Sequence, residues 1–257
     1  MILYRPINGW KDAGRELFDM WAESNYCEIR DTRHNCLWAR EIGDVLLYER
    51  PRLEFLPTVW NIGLFANTQH NGNNSYPWIF WPRRPRLLEN MLTENLPTYD
   101  ERDNESIFLG RIENNVQDKN RTQHDWSTCI SLFSMPKSQS FYPYTQLDYL
   151  HKVKASKFGL VLPGYGPKCN REIELMGLGT VPIFTPNVET RYHNPIEKDK
   201  HYLYANNPEE VKDCIRNCSK EKWEYISNEC KIWYNINCSR KGSFETTVKI
   251  IEEKSNA

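Results

Sequence analysis

SKFGLVLPGYGPKCNREIELMGLGTVPIF, residues 156–184, reads as a strand, a glycine loop, a helix and a second strand. Phe158 to Leu162 is a short apolar run ending at Pro163, the pattern of a strand buried on both faces of a parallel sheet. Gly164, Tyr165, Gly166 and Pro167 break the strand. Asn170 is the expected cap of a helix from Arg171 to about Leu178, Gly179 ends it, and Thr180 to Phe184 is the next buried strand.

A glycine loop ahead of a helix N-terminus is a place for phosphates, because bare backbone N–H groups and the positive end of the helix dipole meet there. Arg171, Glu174, Leu175 and Leu178 fall on one helical face. A first-turn arginine can hold a diphosphate through two parallel hydrogen bonds. A glutamate one turn on can accept the hydroxyls of a ribose. The same spacing also suits a plain Arg171–Glu174 ion pair on a solvated helix. Spacing alone leaves both readings open.

The run SKFGLVLPGYG followed by Arg171, Glu174, Gly179 and Pro182 in the order R-x-x-E-x-x-x-x-G-x-x-P resembles the exostosin-like glycosyltransferases. More broadly it is similar to the donor-nucleotide half of a GT-B glycosyltransferase. The resemblance covers roughly residues 106–205. It implies an α/β fold of two small Rossmann-like domains with a nucleotide-sugar cleft between them. Residues 1–92 would form the acceptor side, 93–105 (TENLPTYDERDNE) the linker, and 106–257 the donor-binding domain with its C-terminal helices. Donor contacts are then expected at Gly110 and Arg111, at the loop residues Pro163, Gly164, Tyr165, Gly166 and Lys168, and at Asn170, Arg171 and Glu174.

Around this stretch the chain alternates short strands and helices. Strands are expected at 2–4, 26–30, 44–49, 59–66, 107–109, 129–135 and 201–204. Helices are expected at 12–24, 85–91, 145–154, 208–217, 220–236 and 243–253. Trp78 to Trp81 is an aromatic run flanked by prolines, and Arg83, Arg84 and Arg86 form a local basic cluster that reads as a solvated loop or helix start.

Composition limits the alternatives. The 257 residues, with nine Trp and fourteen Tyr, suffice for one large or two small cores. A net charge of −1 argues against a general nucleic-acid binder. The eight cysteines carry no zinc-ligand spacing and are expected as buried or free thiols. The N-terminus turns polar after four residues, so no signal peptide is expected. No apolar run approaches the ~20 residues of a membrane span. The expected location is cytoplasmic. Compact, unanchored exostosin-like enzymes occur among large DNA viruses, and the resemblance extends to that form.

Sugar transfer needs a stabilised diphosphate leaving group, a base for the acceptor hydroxyl, and alignment of the two sugars. The D-x-D motif that holds a divalent ion on the diphosphate is missing. Glu172 and Glu174 should point to different sides of their helix. No metal or cofactor is therefore expected, and Arg171 with the helix dipole should stabilise the leaving group. The resemblance implies a UDP-sugar donor, with UDP-xylose a candidate, and a glycan or glycoprotein acceptor. Asp12 and His70 are the candidates for the base, followed by Asp31, His34 and Glu49. Asp12 reads first as a cap or a charge in the first turn of a helix. A non-catalytic nucleotide-sugar or glycan-binding module with a degenerate core is the alternative. A Walker motif is absent, which argues against NTP hydrolysis.

Overall fold

The structure is a computed structural model, and it describes residues 2–6, 13–32, 37–39, 44–48, 64–65, 76–110, 121, 124–133, 143–164 and 166–255. Five parallel strands dominate it: β7 (Asn104–Phe108), β8 (Leu132–Phe133), β9 (Ser156–Val161), β10 (Val181–Phe184) and β11 (Leu203–Tyr204). Their spatial order is β11-β10-β9-β7-β8. Numbered within the sheet, this is 2-1-3-4-5, the order of a doubly wound sheet. Every pair in it is parallel, and β9 and β10 are buried along nearly all their length, as their apolar runs require.

The first half contains β1 (Ile2–Pro6), α1 (Ala13–Glu23) and β2 (Glu28–Thr32), with β1 and β2 paired parallel. A separate four-stranded sheet follows in the order β3 (Leu37–Ala39), β4 (Asp44–Tyr48), β5 (Leu64–Phe65) and β6 (Tyr76–Pro77). It is antiparallel except for its last pair. The helix α2 (Pro85–Met91) begins at a proline, whose missing N–H costs nothing at a helix start.

In the second half, α3 (Gln146–Lys154) opens with a reciprocal Thr145–Asp148 cap. The helix α4 (Asn170–Gly177) lies between β9 and β10 in sequence, and α5 (Pro208–Asn217), α6 (Lys220–Asn237) and α7 (Arg240–Ser255) close the chain. Two expectations shift here. The strand expected over 129–135 starts only at Leu132, because the Asp125 carboxylate accepts from Ser127 N at 3.1 Å and winds Trp126–Cys129 into a 3-10 turn; residues 134 and 135 lie outside the described residues. The strand expected from Ile107 starts at Asn104, inside the polar stretch 93–105.

That stretch is also anchored. Arg102, 4% exposed, donates to Ser156 O at 2.7 Å, Thr180 Oγ1 at 2.9 Å and Leu178 O at 2.8 Å. It thereby joins the start of β9 to the C-terminal end of α4, where a cation is favoured. Gly179, at φ +68°, completes the end of α4. Thr180 N donates to Leu175 O and Gly179 N to Met176 O, the pairing that a left-handed residue at that position allows.

The last helix returns to the first half. Trp21 Nε1 donates to Ser243 Oγ and Trp78 Nε1 to Thr247 Oγ1, both at 2.9 Å. Arg240 pairs with Glu89 of α2. One apolar cluster consequently runs from Leu17 through Trp78 and Phe158 to Ile250.

Candidate functional site

The sheet changes direction between β7 and β9, its first and third strands, and ligands of open α/β sheets lie outside the carboxyl ends at such a point. The chain leaves β7 through Leu109 and Gly110, and leaves β9 through Leu162, Pro163 and Gly164. The first turn of α4 follows directly. Gly164 N donates to Gly166 O at 3.0 Å, so the loop turns tightly on itself. A Cβ at Gly164 would lie 2.6 Å from Cys169 Sγ, which explains the glycine there.

Arg171 spans the two strand exits. Its guanidinium lies 4.3 Å from the centroid of the Phe108 ring, and Nη1 donates to Leu162 O at 3.3 Å. Gly110 makes room for it, since a Cβ there would lie 2.9 Å from Arg171 Nη2. Among the described residues Arg171 has no carboxylate at ion-pair distance. Arg121 approaches the same place. It is 7% exposed, its Nε donates to Pro163 O at 2.9 Å, and its guanidinium is 6.0 Å from the Phe108 centroid. Two guanidiniums therefore share one aromatic ring and consecutive carbonyls at the end of β9. Sequence reasoning missed Arg121, because it stands eleven residues beyond Gly110 with no local pattern to mark it.

The other expected residues divide into three groups. Asn170 is not the cap of α4, a correction to the sequence reading. Cys169 is the cap, and Glu172 closes the reciprocal bond by accepting from Cys169 N. The signal was present as C-x-x-E, a capping box with a thiol in place of the usual hydroxyl. Asn170 instead donates from Nδ2 to Trp81 O at 2.7 Å. Lys168, expected beside the phosphates, is turned inward and 1% exposed. Its Nζ donates to Arg191 O and lies 4.0 Å from the Tyr192 centroid, and burial lowers its pKa to about 8. With Glu189 N donating to Pro167 O at 2.9 Å, Lys168 fastens the loop after β10 to the glycine loop.

Glu174 is 2% exposed. Its Oε1 accepts from Arg83 N at 2.9 Å and from Gln146 Nε2 at 3.4 Å, and Tyr149 also bonds to the carboxylate. Burial pushes its pKa up to about 7 against these hydrogen bonds and the nearby charges of Arg171 and Arg83. Glu172 is fully buried and is likewise raised to about 7 by burial, with Oε2 unpartnered among the described residues. Residues 172–177 are all buried, so α4 is not the solvated helix that an Arg171–Glu174 surface pair would need. Glu172 and Glu174 do take partners on different sides of it.

Arg111 and Tyr165 lie outside the described residues, as do Asp12, His70, His34 and Glu49; Asp31 lies in β2. Among the described residues, no three His, Cys, Asp or Glu side chains are grouped closely enough to hold a metal ion. No helix among them is long and apolar enough to cross a membrane. Compared with known proteins, the chain matches no family model and no curated protein.

Proposed function

We propose that the chain is a glycosyltransferase that takes a nucleotide sugar at the mouth between β7 and β9 and passes the sugar to a glycan hydroxyl. The observation that carries this reading is Arg171: a guanidinium without a carboxylate partner among the described residues, held over Phe108 at the switch point and beside the first turn of α4. That is a place for a diphosphate, with Arg121 as the second cation. UDP-sugars are the proposed donors, UDP-xylose first among them. The two-domain GT-B arrangement, with residues 1–92 forming the acceptor side, belongs to the same proposal, as does a cytoplasmic location.

In this reading the acceptor oxygen attacks the anomeric carbon from the face opposite the diphosphate. The bond from that carbon to the diphosphate oxygen breaks, the configuration inverts, and a base in the first half takes the hydroxyl proton, Asp12 or His70. The charge that develops on the departing UDP falls on Arg171, Arg121 and the helix dipole, in place of a metal ion. Lys168 contributes by positioning the glycine loop rather than by touching the phosphates.

One observation favours a second reading. The Glu174 carboxylate, expected to accept the ribose hydroxyls, is already filled by Arg83 N, Gln146 and Tyr149. A glycan-binding module, which needs no ribose acceptor, would tolerate that. The two are separated by incubating the protein with a panel of UDP-sugars and a glycan acceptor and following UDP release. The proposal expects release with at least one donor and its loss in Arg171→Ala. Glycan binding without UDP release from any donor would favour the binding module.

A further inference from the structure

The segment Trp78–Arg84 is fixed to the second half of the chain through four of its seven residues. Thr247 takes the Trp78 indole N–H, Cys238 Sγ donates to Phe80 O at 3.1 Å, Asn170 Nδ2 donates to Trp81 O at 2.7 Å, and Glu174 Oε1 accepts from Arg83 N at 2.9 Å. The last two contacts come from α4 itself, from its first residue and from the residue one turn after Arg171. They place the backbone of Arg83 against the same part of α4 that carries Arg171. The charges of Arg83 and Arg171 both act on the Glu174 carboxylate, so both guanidiniums lie in its neighbourhood.

The three arginines of this segment are not equivalent. Arg86 is engaged in a two-pronged ion pair with Glu23, at 2.7 and 2.8 Å. Arg84 is the residue before α2, where its carbonyl accepts from Leu88 N at 3.0 Å, so its backbone belongs to that helix. Arg83 is exposed and has no side-chain partner among the described residues, while its backbone is held on α4.

We propose that Arg83 supplies a further, exposed cation to the anion site of Arg171, so that a diphosphate is gripped from both the Trp78–Arg84 segment and the first turn of α4. This rests on the reading of Arg171 as a diphosphate contact. It adds that the site is completed by a residue from the first hundred. An arginine presents a planar fork of donors to phosphate oxygens, which a lysine cannot reproduce. The Arg83 backbone N–H survives any substitution but proline, so Arg83→Ala removes the charge and leaves the tie to Glu174 in place.

The test titrates the full chain with inorganic pyrophosphate and with UDP, in wild type, Arg171→Ala, Arg83→Ala, Arg83→Lys and Arg84→Ala, with a melting curve for each. Arg83→Ala should weaken both ligands roughly three- to thirtyfold, the range of a charge-assisted hydrogen bond that solvent partly screens. Arg83→Lys should recover only part of this, and Arg84→Ala should stay within about twofold. If Arg171→Ala weakens both ligands and Arg83→Ala changes neither by as much as twofold, the role of Arg83 is overturned and the Arg171 site stands. If neither variant changes the affinity for either ligand, or wild type binds neither, the anion site itself is overturned and Arg83 with it.

Discussion

Replacing Glu174 by Gln should change how stability depends on pH. A carboxyl that titrates near 4.5 in the unfolded chain and near 7 when folded keeps its proton longer in the folded state. Between those values the unfolded chain binds fewer protons, so stability falls as pH rises and the loss is complete above about 7. At about 1.4 kcal/mol per pH unit, Glu174 removes about 3 kcal/mol over the interval. That is a sizeable share of the ~5–15 kcal/mol typical of a folded domain. At pH 5 the folded carboxyl is protonated and close to Gln in shape and charge, so wild type and variant should be similar. At pH 7.5 Glu174→Gln should be more stable by about 2–3 kcal/mol. The assay is urea unfolding of both proteins at pH 5, 6, 7 and 7.5. Other groups titrate in this window. Glu172 acts in the same direction, and His201, whose pKa burial lowers, acts in the opposite one. Both are common to the two proteins and cancel in the difference. Lys168 titrates near 8, above the window. Parallel stability curves for the two proteins would refute the account of Glu174 as a buried carboxyl on Arg83, Gln146 and Tyr149.

Gly159→Ala should destabilise the fold by ~1–3 kcal/mol, because the new methyl would lie 2.2 Å from Leu175 Cδ2 and force α4 away from β9; a melting temperature equal to wild type would show that this contact can relax freely. Residues 106–257 expressed alone should not give a dispersed NMR spectrum, since Trp21 and Trp78, the partners of Ser243 and Thr247, would be gone; a well-folded fragment would mean that the shared core is dispensable. Sugar transfer should persist in EDTA and gain little from magnesium or manganese, because no D-x-D motif is present to hold the ion. A strict requirement for a divalent cation would remove Arg171 and the helix dipole as the main stabilisers of the leaving group.

The second half was readable because its signals are local. The apolar run 158–162, the break at Pro163–Gly166 and Gly179 each act within one element, and they place β9, α4 and β10 to within about two residues of where they lie. What escaped depends on distant partners. Nothing near Lys168 in sequence shows that Tyr192 and Arg191 will enclose it. Glu174 reads as a ribose acceptor until Arg83, ninety-one residues earlier, takes its oxygen. Arg121 is separated from Gly110 by a stretch without pattern, and nothing in that stretch shows that its guanidinium will reach the Pro163 carbonyl. The polar composition of 93–105 suggested a linker because one buried arginine, Arg102, does not alter the composition of thirteen residues, although it fixes them to β9 and α4. Asn170 looked like the cap because asparagine is a common one, whereas Cys169 needs the return bond from Glu172 to be recognised.

The most direct test of the central claim is calorimetric titration of UDP and uridine into wild type and Arg171→Ala. The two ligands share base and ribose and differ in the diphosphate. If Arg171 holds the diphosphate at the mouth between β7 and β9, its removal should weaken UDP roughly tenfold or more, the loss of a charge-assisted hydrogen bond, and leave uridine unchanged. Equal UDP affinity in the two proteins, or an equal loss for uridine and UDP, would contradict the assignment of this site to a nucleotide diphosphate.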